Sequence, residues 1–361
     1  MKMPIDAIRE EILKDGAISF SRFMELALYC PETGYYETKK DNVGRAGDFI
    51  TSVSTGSLFG ELLAFQFAEW LEELRITNCK LRIIEAGAHD AKLAADILNW
   101  LRAHQSKLFS ELEYVILEPS TRRQAWQRET LKTFSNIRWV SGFNDSTIQR
   151  FNGIIFSNEL LDAFPVRRLG WDATAKSWFE WGVALDGERF TWARIRPTDL
   201  PSAVSHLPSA FLSVLPDNYT IELSPAAENW WREAVGILTH GKLLAIDYGF
   251  TADEQFSPAR MNGTLRAYHR HHVSDDLLAM PGEQDLTAHV NFSAIQKVGE
   301  AAGLHTENYC TQPQFLTRIL QKAVTQKPFA SLNTKQVRQF QTLTHPEHLG
   351  RAFRVLVQTR A

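Results

Sequence analysis

The stretch Leu81-Arg82-Ile83-Ile84-Glu85-Ala86-Gly87-Ala88-His89-Asp90-Ala91-Lys92-Leu93 decides the fold. Leu81–Glu85 is a short apolar run and predicts a buried strand. An acid closes it, a glycine follows two residues later, and a helix starts near Ala91 with Leu93, Ala94, Ile97, Leu98 and Leu101 on one face. The same rhythm continues downstream. Tyr114–Leu117 predicts a second strand, Thr121–Phe134 a helix, and Ile137–Val140 and Gly153–Phe156 two more strands. Alternation of this kind builds a parallel, doubly wound sheet, and such sheets bind ligands at the carboxyl ends of their strands.

Upstream, residues 4–14 and 19–29 read as short helices, and Pro31–Gly34 and Gly44–Gly47 as turns. A longer helix is predicted from Ser57 to Leu74, where Phe59, Leu62, Leu63, Phe67, Trp70, Leu71 and Leu74 recur at steps of three and four. After residue 165 the rhythm breaks. Residues 167–197 read as antiparallel strands turning at Asp186-Gly187, Pro225–Leu238 as a helix, and Leu243–Tyr248 as a fifth core strand. Residues 250–290 are polar, with little periodicity; the remainder predicts helix near Ser293–Ala302 and between about 313 and 343, and a closing strand Phe353–Gln358.

Composition narrows the class. The chain has 361 residues, 44% of them apolar, which excludes a mainly disordered chain. A net charge of −3 argues against nucleic acid or an anionic membrane as the main partner. The three cysteines, Cys30, Cys79 and Cys310, form neither a disulfide framework nor a metal knuckle and read as buried small hydrophobes. No run of 18 apolar residues predicts a membrane span, and the first residues resemble no targeting segment, so the cytoplasm is the expected compartment.

The loops carry the chemistry. The Glu85 loop fails the dinucleotide pattern, because His89 and Ala91 stand where two glycines would let backbone N–H groups approach a diphosphate. Glu85 would also repel a diphosphate. A cationic cofactor fits better, and S-adenosylmethionine carries a sulfonium and an ammonium with no phosphate. A plain strand-to-helix turn with a solvated Glu85 is the competing reading. Glu118 follows the second strand, 33 residues after Glu85, where a carboxylate can accept both hydroxyls of a ribose. The fourth strand ends in Ser157-Asn158-Glu159-Leu160-Leu161-Asp162-Ala163-Phe164-Pro165, which sets two carboxylates and an amide at the edge where a substrate would react; Asn158 or Asp162 as a simple helix cap is the alternative. The Tyr268-His269-Arg270-His271-His272 run, with His289, matches no zinc spacing, so no metal is expected and a lid loop offering a histidine is an alternative to a basic exposed loop.

At these residues the chain resembles the MidA family of S-adenosylmethionine-dependent methyltransferases. The similar blocks are Gly16–Phe20 with Phe23–Glu25, Ala27–Pro31 to Gly34–Tyr36, Gly44–Thr51 with Phe59–Glu61, the Glu85 loop with Asp96–Leu98, Glu118–Ser120, Asn158–Pro165, Asp247–Gly249, Gly263–Tyr268 and Asp285–Phe292. They run in order from about residue 14 to about 303. The resemblance implies an α/β class I methyltransferase fold, Rossmann-like, with a seven-stranded sheet whose last strand is antiparallel. It implies S-adenosyl-L-methionine as cofactor, Glu85 and Gly87 against its methionine part and Glu118 on its ribose. Gly47, Asp48 and Thr51 are then expected near the cofactor, and Asn158, Glu159 and Asp162 near the transferred methyl. The mitochondrial members act in complex I assembly as protein arginine methyltransferases, which implies a protein substrate. Two departures stand out: His89 and Ala91 replace glycines, and Asn291 sits where Asp is usual. A side chain at 89 would stack on, bond to or crowd the cofactor. The lack of a presequence points to a bacterial cytoplasmic member.

A guanidinium nucleophile stays protonated and must be oriented, which paired carboxylates do by bidentate bonds. The expected catalytic residues are Glu159 and Asp162, with His289 as a second candidate base. A non-catalytic interaction protein on the same scaffold is the alternative, and a nicotinamide-dependent reductase is disfavoured by the broken glycine pattern. Residues 1–75 are expected as a helical cap and 76–361 as the core, with insertions at about 167–215 and 250–290. The oligomeric state stays open, a homodimer included, as does the role of 316–350.

Overall fold

The computed structural model describes residues 3–38, 51–74, 81–201, 204, 207, 209–269, 272–274, 276–325 and 329–361. Seven strands make the central sheet: β1 (Leu81–Ala86), β2 (Glu113–Leu117), β3 (Ile137–Val140), β4 (Phe151–Asn158), β5 (Leu238–Phe250), β6 (His305–Thr311) and β7 (Phe353–Arg360). Their order across the sheet is β3-β2-β1-β4-β5-β7-β6. The first five are parallel, and β7 runs antiparallel to both neighbours. A two-residue strand, Val290–Asn291, adds to the end of β5. This is the class I methyltransferase sheet that the resemblance implies. The strand order reverses between β1 and β4, which stay parallel, so their carboxyl ends open a crevice.

All eight residues of β4 are buried, as expected of a central parallel strand covered on both faces. The helices of ten or more residues among those described are α1 (Pro4–Asp15), α2 (Phe20–Tyr29), α3 (Leu58–Leu74), α4 (Lys92–His104), α5 (Thr121–Thr130), α6 (Pro225–Ile237), α7 (Phe292–Ala301), α8 (Gln312–Ala323) and α9 (Thr334–Thr344). The apolar stripe of α4 buries against α3 and the sheet, as its spacing predicts. Helix α3 is buried on most of its surface because α8 and α9 cover its other side. Helix α5 stops four residues early, its start capped by the Ser120 hydroxyl. Strand β5 begins five residues before the expected Leu243, through a bulge at Leu238–His240.

Two departures from the sequence reading share one cause, the weakness of short or edge elements as periodic signals. The 250–290 segment holds a three-stranded sheet, Arg266–His269, His272–Ser274 and Asp285–Thr287, whose strands are too short to show alternation. Strand β6 is a half-exposed edge with no apolar alternation. The helix expected over 313–343 is two helices, each opened by a capping box.

The inserted strands Arg167–Asp172, Ser177–Asp186 and Arg189–Ile195 are antiparallel as predicted, with the turn at Gly187-Glu188. Ile18–Ser19 and Thr220–Leu223 complete their sheet. Within the segment expected as a cap, α1 and α2 share an apolar cluster with this inserted sheet and with Leu265, Leu278 and Leu286 of the lid. Helix α3 belongs to the cluster under the central sheet. Among the described residues, no helix is long and apolar enough to cross a membrane.

Candidate active site

A cavity of about 600 Å³ opens where the carboxyl ends of β1, β2, β3 and β4 meet. The core strand ends line it together with Tyr29 and Tyr36 of the N-terminal segment, the cap, and with Tyr268, Asp285, Thr287, Ala288 and His289 of the 250–290 segment, the lid. That volume lies in the range of small-molecule sites.

The sheet supplies an acid at three of these four strand ends, β3 being followed by Ser141 and Gly142. Glu85 ends β1 only 2% exposed, and the Tyr114 hydroxyl donates to it at 2.6 Å. Burial pushes its carboxyl up to about 8 despite that bond. Glu118 follows β2, also buried, and accepts from Ser120 N at 3.0 Å and Gln127 Nε2 at 3.1 Å. Arg123 Nε sits 3.1 Å from it as an ion pair without hydrogen-bond alignment. Burial nevertheless raises Glu118, the guanidinium opposing it.

The loop after β4 is held from beneath. Asp247 of β5 is fully buried and accepts the N–H groups of Leu160 at 3.1 Å, Leu161 at 2.8 Å and Tyr248 at 2.8 Å. Glu159 N donates to Ile246 O at 2.9 Å. So clamped, Glu159 takes φ +52°, and its Oε1 accepts from Asn158 Nδ2 at 3.1 Å and Ser52 N at 3.2 Å. Burial raises Glu159 to about 8, with Asp247 adding repulsion. Asp162, 6% exposed, is driven well above the carboxylate range by burial, then by Asp247, Asp285 and Glu159. The lid strand meets it: Ala288 N donates to Asp162 O at 2.9 Å.

Of the residues named from sequence, Thr51, Glu85, Gly87, His89, Glu118, Asn158, Glu159, Asp162 and His289 line this one cavity. Gly47 and Asp48 lie outside the described residues. His289 stacks on Phe250 with centroids 4.7 Å apart. Burial pushes its imidazole down to about 4, helped by Arg266, Arg260 and Arg354, so it is a weaker base than the carboxyls beside it. Sequence reasoning left Asp247, Asp285, Tyr36 and Arg123 out of the site. Asp247 closes an apolar strand as Glu85 does, so that signal was present. The other three carry no local signal.

The cavity fits the cofactor implied by the loop chemistry. Gly87 has φ +75°, and a Cβ there would come 2.9 Å from Leu160 Cδ1. His89 and Ala91 take φ +46° and +64°, so the loop keeps glycine-like backbone without the glycines. Asn158 Oδ1 is buried with no hydrogen-bond partner among the described residues. The acids at the strand ends suit a cationic methionine moiety and a ribose, and oppose a diphosphate. Among the described residues no group of histidine, cysteine or carboxylate side chains could hold a metal.

Comparison with known proteins agrees. Residues 62–310 match a family model described as "Putative S-adenosyl-L-methionine-dependent methyltransferase". The chain is 26% identical to the protein arginine methyltransferase NDUFAF7, mitochondrial, of Danio rerio, over 96% of this chain and 84% of that protein. It is 27% identical to the Homo sapiens protein of the same name, over 80% and 67%. A crystal structure of a Burkholderia thailandensis protein bound to S-adenosyl-homocysteine is 33% identical and superposes with a TM-score of 0.85 over 99% of this chain and 92% of that one.

Proposed function

The chain belongs to this family of S-adenosylmethionine-dependent methyltransferases, and from that premise we propose that it methylates an arginine side chain of a protein. The cofactor supplies, when bound, a methyl carbon on a cationic sulfur that leaves as a neutral thioether. Glu85 and the Gly87 backbone would hold its methionine part, Glu118 its ribose, and Thr51 and His89 its flanks, with Asn158 where cofactor and substrate meet. Gly47 and Asp48 are expected beside it.

One observation carries the substrate reading. Glu159, Asp162 and Asp285 line the cavity together with Asp247 buried behind them, and each neighbour raises the proton affinity of Asp162. A guest cation relieves that field, and a guanidinium does so with planar N–H groups matched to carboxylates. Glu159 and Asp162 orient the nucleophile and take its proton; His289, the weaker base, is a wall of the pocket. The relatives named protein arginine methyltransferases support the same substrate. The buried thiol of Cys310 suits a reducing compartment, the cytoplasm.

The test is transfer of label from S-adenosylmethionine into cell-extract proteins, followed by amino-acid analysis. Methylarginine is expected, with loss of at least about 100-fold in Glu159→Gln with Asp162→Asn. Robust transfer by the double variant would sink the assignment.

A further inference from the structure

We propose that Asp285 of the lid and Tyr36 of the cap hold the substrate cation, forming with Asp162 a two-sided cage for the guanidinium. The inference rests on the arginine reading above. Asp285 opens the lid strand Asp285–Thr287, is 1% exposed and lines the cavity. The Tyr36 hydroxyl donates to its Oδ1 at 2.8 Å, which fixes the carboxylate from the cap side. Tyr268 stands opposite Asp285 in the lid register and lines the same space. Asp162 faces it from the core, on the helical turn Leu161–Ala163.

Acids crowd together for structural reasons too, so a second observation matters. Asn158 is 9% exposed and lines the same cavity, and its Oδ1 has no partner among the described residues while its Nδ2 is committed to Glu159. A buried acceptor left open in a cavity awaits a donor from a guest. A guanidinium offers five N–H donors in one plane. Asp162 and Asp285 accept along two edges and Asn158 Oδ1 takes a further N–H. Tyr29 and Tyr36, stacked with centroids 5.5 Å apart, wall the cavity, and the Arg123 guanidinium lies 5.8 Å from the Tyr36 ring. In the transfer, one guanidinium nitrogen forms a bond to the methyl carbon, the carbon–sulfur bond breaks with its electron pair left on sulfur, and the proton shed by that nitrogen passes to Asp162.

The cage joins lid, cap and core, so it is complete only when all three are seated. A neutral side chain offers buried Asp162 no cation and is rejected.

The experiment uses the full chain. Wild type, Asp285→Asn, Asp285→Glu and Tyr36→Phe receive labelled S-adenosylmethionine and protein extract from cells deleted for the gene. Labelled amino acids are identified after hydrolysis, and S-adenosylhomocysteine affinity is measured on the same preparations. Methylarginine formation is expected to fall about 100-fold in Asp285→Asn and about 10-fold in Tyr36→Phe, with partial recovery in Asp285→Glu and cofactor-product affinity within about threefold of wild type. Wild-type rates in Asp285→Asn overturn the inference, and so does a parallel loss of S-adenosylhomocysteine affinity in both Asp285→Asn and Tyr36→Phe. Label on another amino acid in wild type overturns the arginine reading itself, and the cage with it.

Discussion

Ala91 and His89 sit at φ +64° and +46°, where an L side chain is strained by about 1–2 kcal/mol. The neighbours hold them there. Ala91 N donates to Ala88 O at 2.6 Å, and Gln127 Nε2 to His89 O at 3.1 Å. Glu159, at φ +52°, is a third strained residue on the cavity rim. The strain keeps the backbone turned toward the pocket even though two glycines of the family's loop are missing. Ala91→Gly is expected to change stability by less than about 1 kcal/mol, because relief of strain offsets loss of a buried methyl. Ala91→Val is expected to destabilise by more than about 2 kcal/mol, since a β-branched residue in this conformation is an outlier. Denaturant unfolding of both variants measures the difference.

At the scale of elements, strand β5 governs the loop that follows β4. Asp247 alone accepts three backbone N–H groups at its end, two of them from the loop that carries Glu159 and Asp162. Without it those donors stay buried and unpaired, each at a cost of about 1–3 kcal/mol. Asp247→Ala is therefore expected to lower stability by at least about 3 kcal/mol. Hydrogen exchange at Leu160 and Leu161 should quicken beyond the global change; exchange that tracks global unfolding alone would show that the clamp is not local. Asp247 is a positioning residue on this account, since it does not line the cavity.

Over the whole molecule the net charge of −3 says little, because the acids that matter are concentrated in one place. Burial raises Glu85 and Glu159 to about 8 and Asp247 to about 7. An unfolded chain releases these protons near pH 4.5. Between there and about pH 8 the folded state holds more protons than the unfolded one, so stability falls as pH rises, by at most ~1.4 kcal/mol per pH unit for each carboxylate. The ligand-free protein is expected to melt at a lower temperature at pH 8 than at pH 5.5. Glu85→Gln and Glu159→Gln should each flatten that slope, and thermal unfolding across pH checks it. A bound cation replaces the protons, so S-adenosylmethionine should stabilise more at pH 8 than at pH 5.5.

The strand–helix order, the acid at the end of each of the first two strands and the loop after β4 were legible in the chain alone. Each is a local pattern: burial sets the apolar period of Leu81–Glu85 or Tyr114–Leu117, and a strand-end acid stands in sequence beside its strand. Only the tertiary structure joined Tyr36 to Asp285, 249 residues apart, or set Asp162 among Asp247, Asp285 and Glu159. It also made His289 a poor base, by packing it on Phe250 near three arginines. A side chain's charge state and its partners depend on what surrounds it in space. The sequence therefore determined the order of the core elements and the acids at the first two strand ends, and the packing of the N-terminal helices and the 250–290 segment over the sheet decided which side chains meet across the cavity.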